Sequence, residues 1–134
     1  MTPGRPPGLG MPAAMLAGAI VAAIAGPGLA AGDAGHGREL VRQHCGRCHV
    51  LPGESNMGIG STPSFKIMVM SKLPDWRQRF ETFYALRPHP NFVRIRELPQ
   101  TAEAPPVVKP FTLTLGDLDD IVAFVDKLAG EYRR

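Results

Sequence analysis

The clearest pattern of apolar and polar positions lies near the C-terminus and predicts an amphipathic helix. Thr114 and Asp117 form a capping-box pattern, which marks the start of a helix. Gly130 predicts its end. Between them, apolar residues recur at helical spacing on one face: Leu118, Ile121, Val122, Val125 and Leu128, with Phe124 on the border of the stripe.

An earlier helix is predicted over residues 38–44. Good helix formers fill this stretch, and Leu40, Val41 and His44 give it a short apolar face. His36 and His44 are potential metal ligands. We interpret His36 as a surface residue and His44 as a residue at the C-terminal end of a helix, where a positive charge is favourable.

The middle of the chain predicts two further helices. Residues 63–70 form a short one with Phe65, Ile67 and Met68 turned inward, and residues 74–86 form a longer one. The longer helix carries an aromatic stripe: Trp76, Phe80 and Phe83, with Tyr84 or Leu86. Glycine and proline make residues 50–63 a loop, and residues 87–113 have neither helical nor strand periodicity. Strand signals are absent, so we expect an all-α domain of three to four helices with long loops.

Residues 1–30 have the features of a cleaved signal peptide. Arg5 gives the N-terminal region a weak positive charge, and residues 11–24 are apolar. Small residues at 27–31 offer a cleavage site after Ala30 or, nearly as well, after Ala31. The apolar run is shorter than the roughly 20 residues that span a bilayer, so a retained membrane anchor is the weaker interpretation. We therefore expect one exported, periplasmic domain over residues 31–134, with no stable anchor after cleavage.

Charge and cysteine content narrow the function. Without Arg5, the chain has fourteen Lys and Arg and twelve Asp and Glu, and this positive excess is too small to indicate nucleic-acid binding.

The chain has two cysteines, and both lie in the run Cys45-Gly46-Arg47-Cys48-His49. Two thiols three positions apart, with a histidine directly after the second, form the c-type haem attachment signature. Each thiol would bond one vinyl group of the porphyrin, and His49 would be the proximal iron ligand.

Three other interpretations of the motif are weaker. A redox disulfide expects a βαβ setting, which the sequence lacks. A zinc site needs a second ligand pair at a suitable spacing, and none follows. A structural disulfide leaves His49 unexplained.

The chain resembles the class I cytochromes c over nearly all of residues 31–134. The resemblance rests on Gly37, the motif at 45–49 and the final helix with Phe124, which in this family crosses the first helix. It implies one covalent haem c surrounded by helices. It also implies that the carbonyl of Pro63, in Ser-Thr-Pro-Ser-Phe, accepts a hydrogen bond from His49 and fixes its tautomer.

The sequence departs from this family at the sixth iron ligand. Class I cytochromes c usually take a methionine from the loop before the last helix as the sixth ligand, but no methionine follows Met70. Four arrangements stay open: Lys109, whose amine would have to be deprotonated; His89, between two prolines; Met70 or Met68 on a predicted core helix; or no ligand.

We therefore expect a periplasmic electron carrier and not an enzyme. One alternative is a haem-bearing subunit of a periplasmic dehydrogenase or oxidase. Another is a five-coordinate haem protein that binds small gases or reacts with peroxide, with His89 and Arg87 as the distal pair and a weak peroxidase-like activity. The expected partners are redox proteins. An acidic docking surface on such a partner would face a basic middle third: Arg77, Arg79, Arg87, Arg94 and Arg96.

Overall fold

A computed structural model describes residues 1–2, 4, 31–70, 75–100, 102 and 104–134. The predicted signal peptide rests on residues that lie outside this described part, except for positions 1, 2 and 4. The expected all-α character is confirmed, because the described chain is mostly helical. Its elements are α1 (Ala34–His44), α2 (Phe65–Met70), α3 (Trp76–Glu81), β1 (Val93–Ile95), β2 (Phe111–Leu113) and α4 (Leu115–Tyr132), with 3-10 turns at Phe83–Ala85 and His89–Asn91.

Helices α1 and α4 cross at close range, and glycine makes this crossing possible. Gly37 is buried in α1, and a Cβ atom at this position would overlap the backbone carbonyl of Asp120 in α4. Two polar contacts to Asp120 also link the start of α1 to α4. The backbone N–H of Asp33 donates to Asp120 Oδ1 at 2.6 Å, and His36 Nδ1 lies 2.6 Å from Asp120 Oδ2. The Asp33 side chain also caps α1 by accepting from the N–H groups of Gly35 and His36.

Helix α4 follows its sequence pattern closely at its start and along its apolar face. Thr114 and Asp117 form both hydrogen bonds of the predicted capping box. The five residues of the predicted stripe are buried, and Phe124 is partly buried against the core. The predicted end at Gly130 is wrong, because the helix continues to Tyr132. Gly130 is exposed, and a glycine ends a helix only where the backbone turns to a positive φ, which is not the case here.

Helices α2 and α3 are shorter than the sequence suggested. In α2, Phe65 and Val69 are buried, whereas Ile67, predicted to face inward, is 62% exposed. The helix predicted over 74–86 is α3 followed by the 3-10 turn at Phe83–Ala85, and its predicted first residue, Pro74, lies outside the described residues. Phe80 is the buried member of its aromatic stripe, and Leu86 is 42% exposed.

The passage 87–113, expected to be irregular, contains two short strands. β1 and β2 pair in parallel, with Val93 opposite Phe111 and Ile95 opposite Leu113. Each strand has only three residues, which is too short for an alternating pattern to be recognised in the sequence. The pairing joins segments eighteen residues apart in the chain, so the local sequence does not predict it. It brings the segment that follows the 3-10 turn at His89–Asn91 against β2, where the Phe111 N–H donates to the Phe92 carbonyl.

The core lies between the α1–α4 pair, α2, α3 and the strand pair, and it is wholly apolar among the buried residues described. In the part of the chain that the structure describes, no helix is both long enough and apolar enough to cross a membrane.

Candidate functional site

A cavity of ≈ 300 Å³ opens beside the Cys-x-x-Cys-His motif. The motif follows the last turn of α1, and α2, α3, β2 and α4 close the other sides. Aromatic rings make up much of its wall: Phe65, Trp76, Phe80, Phe83, Phe92 and Phe111. A largely apolar cavity with a few polar groups directed at it is the usual form of a cofactor site.

Both thiols of the motif face this cavity. The chain turns at the motif, where the N–H groups of Cys48 and His49 donate to the carbonyl of Cys45 at 3.1 and 3.0 Å. Both cysteines are free thiols, half-buried as whole residues. Burial raises the pKa of the Cys45 thiol to about 12, so this group is uncharged at neutral pH.

The imidazole of His49 also lines the cavity, and a backbone carbonyl holds it in one orientation. Nδ1 of His49 lies 2.7 Å from the carbonyl oxygen of Pro63. A carbonyl oxygen only accepts hydrogen bonds, so Nδ1 carries the proton and Nε2 keeps a free lone pair. This is the form of histidine that binds a metal, and such a partner fixes its orientation.

The loop from the motif to Pro63 is held by residues that the sequence analysis did not single out. The Asn56 side chain accepts from the Leu51 N–H at 3.0 Å and donates to the carbonyls of Gly46 and His49 at 2.7 and 2.6 Å. Thr62 Oγ1 donates to the carbonyl of Cys48. Asn side chains often bond to backbone groups in glycine- and proline-rich loops. The position of Asn56 in such a loop is therefore the sequence feature from which its role could have been predicted.

Gly58 is required in the same loop for two reasons. Its φ is +59°, a conformation that favours glycine, and a Cβ atom would come within 2.9 Å of the Cys48 carbonyl oxygen. The N–H of Ile59 donates to that carbonyl at 2.8 Å. The loop therefore packs its backbone directly against the motif.

A second imidazole, that of His89 in the 3-10 turn at His89–Asn91, also lines the cavity. The rings of His89 and His49 have their centroids 6.2 Å apart and their planes 7° from parallel. Nδ1 of His89 lies 2.8 Å from the carbonyl oxygen of Leu86. Burial lowers the pKa of His89, and so does the nearby His49, although the Leu86 carbonyl opposes them; the net shift favours the neutral imidazole.

The structure separates the other proposed iron ligands. Met68 lines the cavity and is partly buried. Met70 is 53% exposed and Lys109 is exposed, and neither lines the cavity. His44 does line it, but its ring stacks on Phe111 at a centroid distance of 4.3 Å.

The chemistry of the donors fits a haem. Two thiols and one oriented imidazole, adjacent in the chain, open onto one cavity whose walls are aromatic and aliphatic. A zinc ion would require four ligand atoms around one point. His44 and His89 also line the cavity, but among the described residues the motif's side chains belong to no group of three or more ligand atoms close enough to hold one ion. The rest of the lining is mostly apolar, which suits a large flat apolar group.

The chain is similar to a bacterial cytochrome c. It is 35% identical over 60 residues to cytochrome c-552 of Bradyrhizobium diazoefficiens, a match that covers 45% of this chain and 56% of that protein. The chain thus spans about half the length of the curated relative. No protein-family model and no solved structure matches it.

Proposed function

We propose that this protein is an exported electron-transfer protein that carries one covalently bound haem c. The observation that carries the proposal is the convergence of Cys45, Cys48 and His49 on one apolar cavity, with Nε2 of His49 left free by the bond to Pro63. The similarity to a cytochrome c-552 supports it. The bound haem would supply one-electron chemistry.

The chain's own residues would serve that role in three ways. Cys45 and Cys48 would form the thioether bonds, which keep the group attached after export. His49 would bind the iron, and the Pro63 carbonyl would raise the basicity of its ring and set its tautomer. The aromatic wall would exclude water from the iron.

A carrier is favoured over a gas-binding or peroxide-reacting protein. Those functions need free space for a small ligand on the second side of the haem. His89 lies in the cavity with its ring parallel to that of His49, and Arg87, the other member of the expected distal pair, is exposed and outside the cavity lining.

We also propose a redox protein as the partner, docking through acidic groups. Within the basic middle third, Arg77 is paired with Glu81 and Asp126, and Arg79 with Asp75, which reduces their free positive charge. Arg94 bonds to backbone carbonyls. We therefore assign the exposed Arg96 to docking.

The test is covalent haem in the exported protein. The full chain, produced in a bacterium with a c-type maturation system, should appear in the periplasm without residues 1–30 and keep its haem through acid–acetone extraction. Replacing both thiols, Cys45→Ala with Cys48→Ala, should abolish attachment. His36→Ala, which changes an exposed histidine outside the cavity, is the control and should keep the haem. Exported wild-type protein with extractable haem, or none, would refute the proposal.

A further inference from the structure

The imidazole of His89 has the same type of support as that of His49. In each case Nδ1 faces a backbone carbonyl, of Leu86 at 2.8 Å and of Pro63 at 2.7 Å. Each ring therefore carries its proton on Nδ1 and keeps the lone pair of Nε2. Metal-binding histidines are oriented in this way by a partner on their other nitrogen.

The distance between the two rings fits one metal ion held by both. At the metal–nitrogen distances of about 2.0–2.1 Å typical of imidazole ligands, two rings that bind from opposite sides have centroids on the order of 6 Å apart. The observed separation is 6.2 Å, and the planes are 7° from parallel. An unrelated pair of cavity-lining histidines need satisfy neither condition.

The segment that carries His89 is positioned by ring contacts and hydrogen bonds. Its ring meets Phe83 edge-on, with centroids 5.3 Å apart, and Phe92 at 5.7 Å. The partly buried Arg94 donates to the carbonyls of Pro90 at 2.8 Å and Val93 at 3.2 Å. The Phe111 N–H donates to the Phe92 carbonyl at 3.0 Å, so the strand pair joins this segment to the start of α4.

We infer that His89 is the sixth iron ligand, which makes this a haem with two histidine ligands and no open coordination position. The inference rests on the proposed function, since it concerns the same haem. Replacing a methionine by a second imidazole lowers the potential of a haem. The donor and acceptor that suit this carrier are thus low-potential redox proteins. Met68, which lines the same cavity, is the competing ligand.

The experiment uses the purified wild-type holoprotein first. Near-infrared magnetic circular dichroism and electron paramagnetic resonance of the ferric form distinguish two imidazoles from imidazole with thioether or with amine. We expect the signature of two imidazoles, together with slow or no binding of carbon monoxide to the reduced form. A thioether or amine signature, or immediate carbon monoxide binding, would overturn the inference.

Substitutions then identify the ligand. His89→Ala should turn the ferric haem high-spin and let carbon monoxide bind at once. Met68→Leu and the matched control His44→Gln, which removes another cavity-lining imidazole, should stay low-spin. His89→Met should replace the two-imidazole signature by a thioether charge-transfer band, which keeps the test decisive if His89→Ala does not fold. A His89→Ala or His89→Met holoprotein with the wild-type spectrum, or a change of axial ligand in Met68→Leu, would overturn the inference.

These outcomes are separate from those of the proposed function. If the wild-type protein carries no covalent haem, the proposed function fails. If covalent haem is present and the two-imidazole signature is absent, only the assignment of His89 fails.

Discussion

The two sides of the cavity are held by different kinds of contact. On the motif side, residues 45–63 fold back on themselves, and Asn56, Gly58 and Thr62 secure a loop that ends at Pro63. On the other side, His89 depends on a parallel strand pair whose partners are eighteen residues apart, Val93 and Phe111. A pair of three-residue strands is only marginally stable by itself, whereas the loop on the motif side receives three hydrogen bonds from Asn56 alone. We therefore expect the motif side to stay ordered under conditions that loosen the His89 side.

The largest effect should come from breaking the helix crossing that positions the motif. Gly37→Val places side-chain atoms where the Asp120 carbonyl of α4 lies, so α1 and α4 must move apart. We expect destabilisation on the order of 3 kcal/mol or more, measured by denaturant unfolding of the holoprotein. Gly130→Ala is the matched control, because no atom lies near the added methyl group and α4 continues through this position. The control should change stability by about 1 kcal/mol at most, in the stabilising direction. Equal effects at both glycines would contradict the close crossing.

A smaller effect should follow from loosening the motif side. Asn56→Ala removes three hydrogen bonds to the backbone of Gly46, His49 and Leu51. Leaving these partly buried groups without partners should cost roughly 2–3 kcal/mol, again by denaturant unfolding. Ser55→Ala, at the exposed neighbouring position, should change stability by less than about 0.5 kcal/mol. If the two variants are equally stable, Asn56 does not hold the loop.

The corresponding change on the His89 side should affect dynamics more than stability. Arg94→Met removes the guanidinium N–H groups that donate to the carbonyls of Pro90 and Val93. We expect the free energy of unfolding to fall by about 1–2 kcal/mol. Amide hydrogen exchange over residues 88–95 should accelerate, while exchange over 45–63 should not change. Arg96→Met loses the same charge from an exposed position and is the control. Equal acceleration on both sides would mean that they are not independent.

The smallest effect concerns pH and the junction of α1 with α4. The hydrogen bond to Asp120 raises the pKa of His36 above its ordinary value of 6.5, against a weaker opposing effect of desolvation. The protonated form is therefore favoured in the folded state, and its contribution to stability is full below about pH 6.5 and lost as pH rises through the raised value. The difference in melting temperature between wild type and His36→Ala should shrink from pH 5.5 to pH 8.5. Asp120→Asn should remove the same pH dependence, and a constant difference would contradict this pairing.

The parts of the fold that the sequence predicted are those with local causes. The start of α4 needs only Thr114 and Asp117, three residues apart, and the buried face of that helix follows from spacing alone. The Cys-x-x-Cys-His motif is likewise five consecutive residues. The prediction that Ile67 faces inward is wrong, because a six-residue helix has too few turns for spacing to define its buried face, and Phe65 and Val69 are the residues that pack into the core.

The parts that the sequence did not predict depend on contacts between distant segments. The parallel pairing of β1 with β2 fixes where His89 lies, and three-residue strands leave no periodic signal. For this reason the sequence alone does not separate His89 from Lys109, Met70, Met68 or an open site, whereas the structure places Lys109 and Met70 outside the cavity lining. The side chains of Asn56 and Arg94 donate to backbone carbonyls, and the positions of these carbonyls cannot be predicted from the sequence.

The central claim is that one haem is bonded to Cys45 and Cys48 in this cavity, and the intact mass of the purified exported protein under denaturing conditions tests it most directly. We predict a single species with the mass of the chain without its signal peptide plus one haem, and with no thiol that a maleimide can alkylate. A species with the mass of the bare polypeptide and two reactive thiols would contradict the account.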